Sequence, residues 1–230
     1  EDVRLASGPA ASRRLYLDRT LALSDPGYLT ALAKYRAALA QRNAALRQGR
    51  AELASQFDRP LAEWGAVVVA RRVAWVASAS EPFTALLAEL GELSGEAGLE
   101  YHGGGELADP GIWPARLAEA RGRDLARRVT TVGPHRDDLV LRLGGRPLRE
   151  YGSTGQHRCA AIALKLLELE TIERATGTRP ALLLDDVFAE LDADRQERLA
   201  RRLFADRPAQ VFITSPRADE LPNGLDLPVR

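Results

Sequence analysis

The sequence predicts an α/β protein in two parts, a mainly helical lobe over residues 1–130 and an α/β half-lobe over residues 131–230. Two observations lead there. Up to about residue 130, Ala- and Leu-rich stretches carry apolar residues at helical intervals. Beyond it, short apolar runs alternate with helical ones, the pattern of a parallel sheet with crossover helices. At 230 residues, 45% hydrophobic and 28% charged, the chain suffices for one large domain or two small ones.

Taken in order, residues from Pro26 to about Phe57 place Leu29, Leu32, Tyr35, Leu39 and Leu46 on one face of a long amphipathic helix. Arg59-Pro60 breaks it. Helical character resumes from Leu61 to about Glu92 through Trp64, Val67, Val68, Arg71, Trp75 and Val76, with Pro82 marking a second start. These pieces predict antiparallel helices forming an arm. Glycines at 91, 95, 98 and 103–105 then surround Leu99-Glu100-Tyr101-His102, a short strand. After Trp113-Pro114 a basic helix runs to Arg128, and Leu139-Val140-Leu141-Arg142-Leu143 enters a hairpin turning at Gly144-Gly145. The second half reads as a helix from Gly155 to about Ala175, a strand Ala181–Leu184, a helix from about Asp194 to Phe204 and a strand Val211–Thr214.

Composition excludes several chemistries. With Cys159 alone there is no internal disulfide framework or multi-cysteine zinc site, and His102, His135 and His157 lie far apart in sequence. No run of about 18 apolar residues occurs, and Glu1-Asp2-Val3-Arg4 does not resemble an export signal, so no membrane span and a cytoplasmic location are expected. The absence of methionine gives the expectation that a further segment precedes Glu1. Of the 32 basic residues only Lys34 and Lys165 are lysine; arginine suits bidentate phosphate or carboxylate contacts, although codon bias produces the same skew. Net charge is zero, and a mild basic excess in the first 60 residues is too small to define a nucleic-acid surface.

The sharpest motif is Leu182-Leu183-Leu184-Asp185-Asp186, an apolar strand ending in two adjacent carboxylates at the edge where open α/β sheets bind ligands. In nucleoside triphosphatases the first acid of such a pair serves Mg²⁺ and the second orients the attacking water. An acidic strand end also caps turns in ordinary folds. Twenty-nine residues before Asp185, the loop Gly152-Ser153-Thr154-Gly155-Gln156 opens into a long helix, whose free N–H groups and dipole attract phosphate. Ser153 as a plain helix N-cap is a compatible reading. Ala189-Glu190-Leu191-Asp192 follows directly on the carboxylates. His157 and Cys159 lack a nearby acid to orient a nucleophilic pair, so helix packing accounts for them.

This order of loop, helix, acidic strand and Glu-Leu-Asp segment resembles the second half of an ATP-binding-cassette head of the RecF and SMC type. The resemblance is nearest to the RecF family, through Gly133-Pro134-His135-Arg136-Asp137-Asp138-Leu139, Tyr151-Gly152-Ser153-Thr154-Gly155-Gln156 leading into Ala163-Leu164-Lys165-Leu166, and Leu183-Leu184-Asp185-Asp186-Val187. Arg13-Arg14-Leu15-Tyr16-Leu17-Asp18-Arg19 and Tyr35-Arg36-Ala37-Ala38-Leu39-Ala40-Gln41-Arg42-Asn43 extend it over essentially the whole chain. What it implies is a partial P-loop ATPase head with a helical arm.

The resemblance implies further that ATP sits on a Gly-x-x-x-x-Gly-Lys-Ser/Thr loop absent here, since neither lysine follows a glycine; this chain by itself is then not expected to hydrolyse ATP. Ser153, Gly155 and Gln156 would act in trans on ATP of a partner subunit, Asp185 would serve Mg²⁺ in cis, and Asp186 would be the catalytic acid. An aspartate where many cassettes carry glutamate fits a slow, switch-like ATPase. Asp192 would lie in a loop crossing an ATP-dependent homodimer interface, or cap the helix that begins near Asp194. Ile213-Thr214-Ser215-Pro216 lacks the histidine of transporter cassettes, leaving Thr214 or Ser215 as substitutes. Expected partners are double-stranded DNA near single-strand gaps and recombination mediator proteins. Arg13, Arg14, Arg71, Arg72, Arg127 and Arg128 are candidate phosphate contacts, each equally a solvated helix face. His135 and Arg136 are candidates to touch nucleotide, DNA or a neighbouring lobe. The rival readings are a non-catalytic scaffold and a chromosome-organising SMC-like protein, the latter disfavoured by Pro60 and Pro82 interrupting the arm.

Overall fold

A computed structural model describes residues 4–91, 96–188, 191–204 and 210–215. In chain order they form helices α1 (Arg4–Ser7), α2 (Ala10–Ser24), α3 (Pro26–Arg47), α4 (Ala51–Ser55) and α5 (Asp58–Glu89) and strand β1 (Ala97–His102). Then come a 3-10 turn Gly105–Ala108, α6 (Trp113–Arg127), β2 (Asp138–Leu143), β3 (Arg146–Pro147), α7 (Leu148–Tyr151), α8 (Thr154–Thr176), β4 (Leu182–Asp185), α9 (Ala193–Phe204) and β5 (Val211–Thr214). Two compact units share the chain, one drawing on residues 8–80 and 99–140, the other on 1–7, 81–98 and 141–230.

In the first unit, α2 turns into α3 at Asp25, whose side chain accepts the Gly27 N–H at 2.8 Å while Pro26 supplies a φ already suited to a first helical turn. The helix expected to run from Pro26 to Phe57 stops at Arg47. Gly49 at φ 71° takes the left-handed conformation that ends it, and the Arg50 N–H returns to the Ala45 carbonyl at 3.0 Å. Pro60 falls in the first turn of α5, where no helical N–H is needed, so it marks a start and not an interruption. Pro82 lies inside α5 and does not restart it. The apolar stripe of Val68, Val69, Val76 and Ala79 continues through Phe83, Leu86, Leu87 and Leu90, all buried, and outweighs the one backbone hydrogen bond that proline removes.

Buried ion pairs pin this unit. Arg72, 2% exposed, donates to Asp18 at 2.6 Å, to the Tyr28 hydroxyl at 3.0 Å and to the Pro134 carbonyl at 2.7 Å. Arg13 makes a two-pronged contact with Asp138 at 2.8 and 2.7 Å. Arg42 holds Asp58 and Asp124 at 2.8 and 2.7 Å. Because one partner removed leaves the other charge buried, such pairs fix geometry more than they add net stability. Arg13 and Arg72 are therefore internal struts, which corrects their candidacy as phosphate contacts; Arg71, Arg127 and Arg128 are exposed.

In the second unit β2 and β3 form the expected hairpin, paired antiparallel through Arg142↔Pro147 and Leu143↔Arg146. The Gly144-Gly145 turn has φ of 58° and 72°, the left-handed pair that a tight hairpin requires. β4 and β5 pair in parallel, Leu182↔Val211 through Asp185↔Thr214, as the alternation of strands and helices predicts. The Ala/Leu face of α8 supplies the core here, with Ala160, Ala163 and Leu164 fully buried and Leu199 of α9 likewise.

Candidate functional site

The site is assembled in the second unit from the start of α8, the end of β4 and the start of α9. Gly152 and Ser153 precede α8 in extended backbone. Ser153 accepts the Gln156 N–H on Oγ at 3.2 Å, and Gln156 Oε1 in turn accepts the Ser153 N–H at 2.9 Å. This reciprocal capping box shows the N-cap reading of Ser153 to be correct and leaves the side chain exposed at the helix entrance. The loop is tightly held from below. The Leu148 carbonyl accepts both the Gly152 N–H at 2.8 Å and Nε2–H of His157 at 2.8 Å. A Cβ on Gly152 would lie 2.6 Å from that oxygen and 2.9 Å from the imidazole, so no side chain fits. His157 thus supports the loop, and Cys159 is buried in the helix, in keeping with packing roles.

Asp185 ends β4, exposed, and accepts the Thr214 hydroxyl on Oδ1. Thr214, named as a candidate phosphate sensor, is engaged with the carboxylate. Asp186 leaves the sheet with φ 51°, an uncommon conformation for a non-glycine residue that aspartate tolerates better than most. Its N–H still donates to the Thr214 carbonyl at 2.9 Å, its own carbonyl accepts from Nη2 of Arg158, and its Oδ1 is buried with no hydrogen-bond partner among the described residues. A cavity of about 300 Å³ borders this point, lined among others by Arg158, Lys165, Leu184, Asp185, Asp186 and Leu199.

Asp192 caps α9. Its Oδ1 accepts the Arg195 N–H at 2.9 Å and its Oδ2 lies 3.1 Å from the Arg195 guanidinium. Arg195 also borders the capping-box loop: a Cβ on Gly155 would lie 3.2 Å from Nη1 of Arg195. Ala189 and Glu190, the first half of the Glu-Leu-Asp segment, and Pro216 lie outside the described residues. Sequence reasoning missed Arg158, Arg195 and the supporting role of His157, since nothing in a linear motif shows which cation reaches back to the acidic strand.

His135 sits in the first unit. Its Nε2 bonds the Thr130 carbonyl at 2.9 Å, which requires a proton there, so Nδ1 accepts from the Tyr35 hydroxyl at 2.6 Å. Burial, reinforced by Arg136 and Arg14, lowers its pKa to about 4. Asp137 accepts from Tyr101 at 2.5 Å and from the Gly104 N–H at 3.1 Å, with its pKa raised chiefly by burial. Glycine-proline-histidine and its acids are thus a packed structural loop. Among the described residues no group of three or more His, Cys, Asp or Glu gathers as a metal cage, and no helix is long and apolar enough to cross a membrane.

A capped loop opening a long helix, an acidic parallel strand end reached by that same helix, and a capped helix beyond it define the second half of an ATP-binding-cassette-type ATPase head. No family model matches the sequence. Curated relatives named DNA replication and repair protein RecF include that of Anaeromyxobacter sp. (strain K), 43% identical over 223 residues, and that of Herpetosiphon aurantiacus, 36% identical over 234. These alignments cover 94% and 98% of this chain and 60% of each relative. Two solved structures of the recombination mediator protein RecF in the RecFOR pathway, RecF-ATPrS and RecF-ATP, superpose with TM-scores of 0.81 and 0.82 at 32% and 30% identity. They cover 96% and 95% of this chain, which covers 62% and 61% of theirs. The chain belongs to the RecF family and spans about 60% of the length of the curated relatives it matches.

Proposed function

We propose that this chain is the signature-bearing part of an ATP-dependent DNA repair and recombination protein, acting at double-stranded DNA next to single-strand gaps through ATP-driven homodimerisation. In this reading residues 131–230 form the ATPase half-lobe and residues 1–130 the arm. The observation that carries it is the linkage of Ser153–Gln156 and Asp185–Asp186 through one helix in one unit. Likeness to RecF-ATP and RecF-ATPrS supports ATP as the nucleotide.

The residues present fit Mg²⁺ and a triphosphate. Asp185 is an exposed hard oxygen donor, and the unpaired buried Oδ1 of Asp186 beside it has acceptor capacity that no neighbour among the described residues uses. One or two carboxylates suit an ion that keeps most of its water and shares phosphate oxygens. Asp185 would hold that ion in cis, and Asp186 would orient the attacking water. Ser153, Gly155 and Gln156 would present the N-terminus of α8 to ATP on the partner subunit, and Asp192 would sit at the dimer interface. Bound Mg·ATP would supply the electrophilic phosphorus. Recombination mediators are the proposed protein partners.

The exposed apolar face of β4–β5 calls for a covering layer. Leu183 and Phe212, register partners, are 76% and 51% exposed, whereas parallel sheets are covered on both faces. The test is to join the chain to the segment by which its relatives are longer and measure dimerisation and ATP hydrolysis with and without gapped DNA. ATP should dimerise the wild type, Ser153→Arg should block pairing, and Asp186→Asn should give a stable dimer that does not hydrolyse. Indifference to both substitutions would leave a scaffold as the better description.

A further inference from the structure

Arg158 stands between two sites that the proposed function treats separately. It lies on α8 two residues beyond Gln156, and its Nη2 donates to the main-chain carbonyl of Asp186. The loop at the start of α8 would face nucleotide on a partner subunit; Asp186 would serve nucleotide on its own. One side chain therefore ties the trans contact to the cis catalytic acid.

Asp186 is poised to respond to such a tie. Its backbone is left-handed at φ 51°, a sparsely populated region for a residue with a side chain, which persists only where neighbours hold it. Among the described residues the Thr214 carbonyl holds its N–H and Arg158 its carbonyl. Since the residue's two backbone ends are fixed by a strand and by a helix, displacement of that helix turns the peptide and with it the carboxylate. Meanwhile the loop ahead of Arg158 cannot move alone. The capping box locks Ser153 to Gln156, and His157, the residue before Arg158, anchors the same turn to the Leu148 carbonyl.

We infer that Arg158 is a positioning residue that couples the two nucleotide sites of the dimer: engagement of the Ser153–Gln156 loop by the partner's ATP settles α8, and Arg158 then sets the Asp186 carboxylate for hydrolysis in its own subunit. Each subunit so reports to its own site whether the other is loaded. This rests on the proposed function, and it adds a route by which hydrolysis waits for pairing.

The full-length protein carrying this chain is examined by hydrogen exchange over residues 183–188, alongside dimerisation by light scattering and steady-state hydrolysis. In the wild type, ATP should slow exchange at the Asp186 amide about tenfold, because pairing closes a locally opening segment. Ser153→Arg should bind ATP, stay monomeric and lose the slowing. Arg158→Met, which keeps the aliphatic stem, should dimerise with ATP as the wild type does, lose the slowing, and lower kcat about a hundredfold at unchanged KM, the scale of a misplaced catalytic group. Arg158→Lys, retaining a donor, should restore part of both and guards against misfolding. In the double variant Ser153→Arg/Arg158→Met, kcat should equal that of the weaker single variant. An Arg158→Met dimer with wild-type slowing at Asp186, or kcat losses that multiply, would overturn the coupling. A wild type that neither dimerises nor hydrolyses ATP would instead overturn the function on which it rests.

Discussion

Tyr35 on α3 donates its hydroxyl to Nδ1 of His135 at 2.6 Å across 100 residues of sequence, because Nε2–H is already given to the Thr130 carbonyl, and the two contacts together suit the neutral imidazole. The pKa falls from its ordinary 6.5 to about 4, first because burial disfavours the imidazolium and then because Arg136 and Arg14 repel it. In the unfolded chain His135 takes up a proton near 6.5, in the folded chain only near 4, so between these values the unfolded state binds more protons. Stability from this group is complete above about pH 6.5 and is lost as pH falls towards 4, by roughly 1–3 kcal/mol. Denaturation midpoints followed from pH 7 to 4 should therefore decline, and His135→Asn should flatten that decline. Asp137 acts in the opposite sense, since its raised pKa makes the folded state hold its proton longer.

The approach of α5 to Trp113 leaves no room for a methyl group. A Cβ on Gly65 would stand 2.4 Å from two atoms of the indole, and Trp113 is completely buried with its Nε1–H on the Leu107 carbonyl at 2.8 Å. The ring cannot retreat without losing that hydrogen bond. Gly65→Ala is expected to destabilise the protein by about 1–3 kcal/mol despite the better helix propensity of alanine. A thermal or urea melt decides it, and a variant as stable as the wild type would show that the two elements can move apart freely.

Arginines that look alike in sequence separate into two experimental classes. Arg72→Met would leave the Pro134 carbonyl without its donor and Asp18 with only Arg36 and the Tyr28 hydroxyl, at a cost of about 3 kcal/mol, without altering the salt dependence of DNA binding below its melting temperature. Arg127→Ala and Arg128→Ala remove exposed side chains and should leave the melt unchanged. If they contact phosphate as proposed, each should make the slope of log K against log salt shallower by about 0.9. Fluorescence anisotropy with gapped duplex over a salt series reads both effects.

What the linear sequence shows and hides follows from how far apart partners lie. The β4 strand, its parallel pairing with β5 and Ser153 as the N-cap of α8 are legible because period and residue type act over a few positions. So is the hairpin turn at Gly144-Gly145. The burial of Arg13 and Arg72 is not, because their carboxylates are 125 and 54 residues away and only folding brings them together. Pro82 misleads for the same reason: a local rule says break, while the buried run from Phe83 to Leu90 continues a stripe whose partner surfaces are set by the fold. Arg158 reaches Asp186 over 28 residues, and the motif at either end gives no hint of it.

Asp192 carries two roles that a choice of replacement can separate. Its Oδ1 caps α9 through the Arg195 N–H at 2.9 Å, a duty that serine performs almost as well, and its Oδ2 pairs with the Arg195 guanidinium at 3.1 Å, which serine cannot do. Arg195 borders Gly155, so releasing its guanidinium from Asp192 changes the charge presented beside the Ser153–Gln156 loop. Asp192→Ala should lose about 1 kcal/mol of stability through the missing cap. Asp192→Ser should melt like the wild type and yet weaken ATP-dependent pairing of the full-length protein if Asp192 sits at the proposed interface, because the side chain has become shorter and neutral. Measured by melting and light scattering on the same samples, a serine variant that pairs normally would reduce Asp192 to a helix cap.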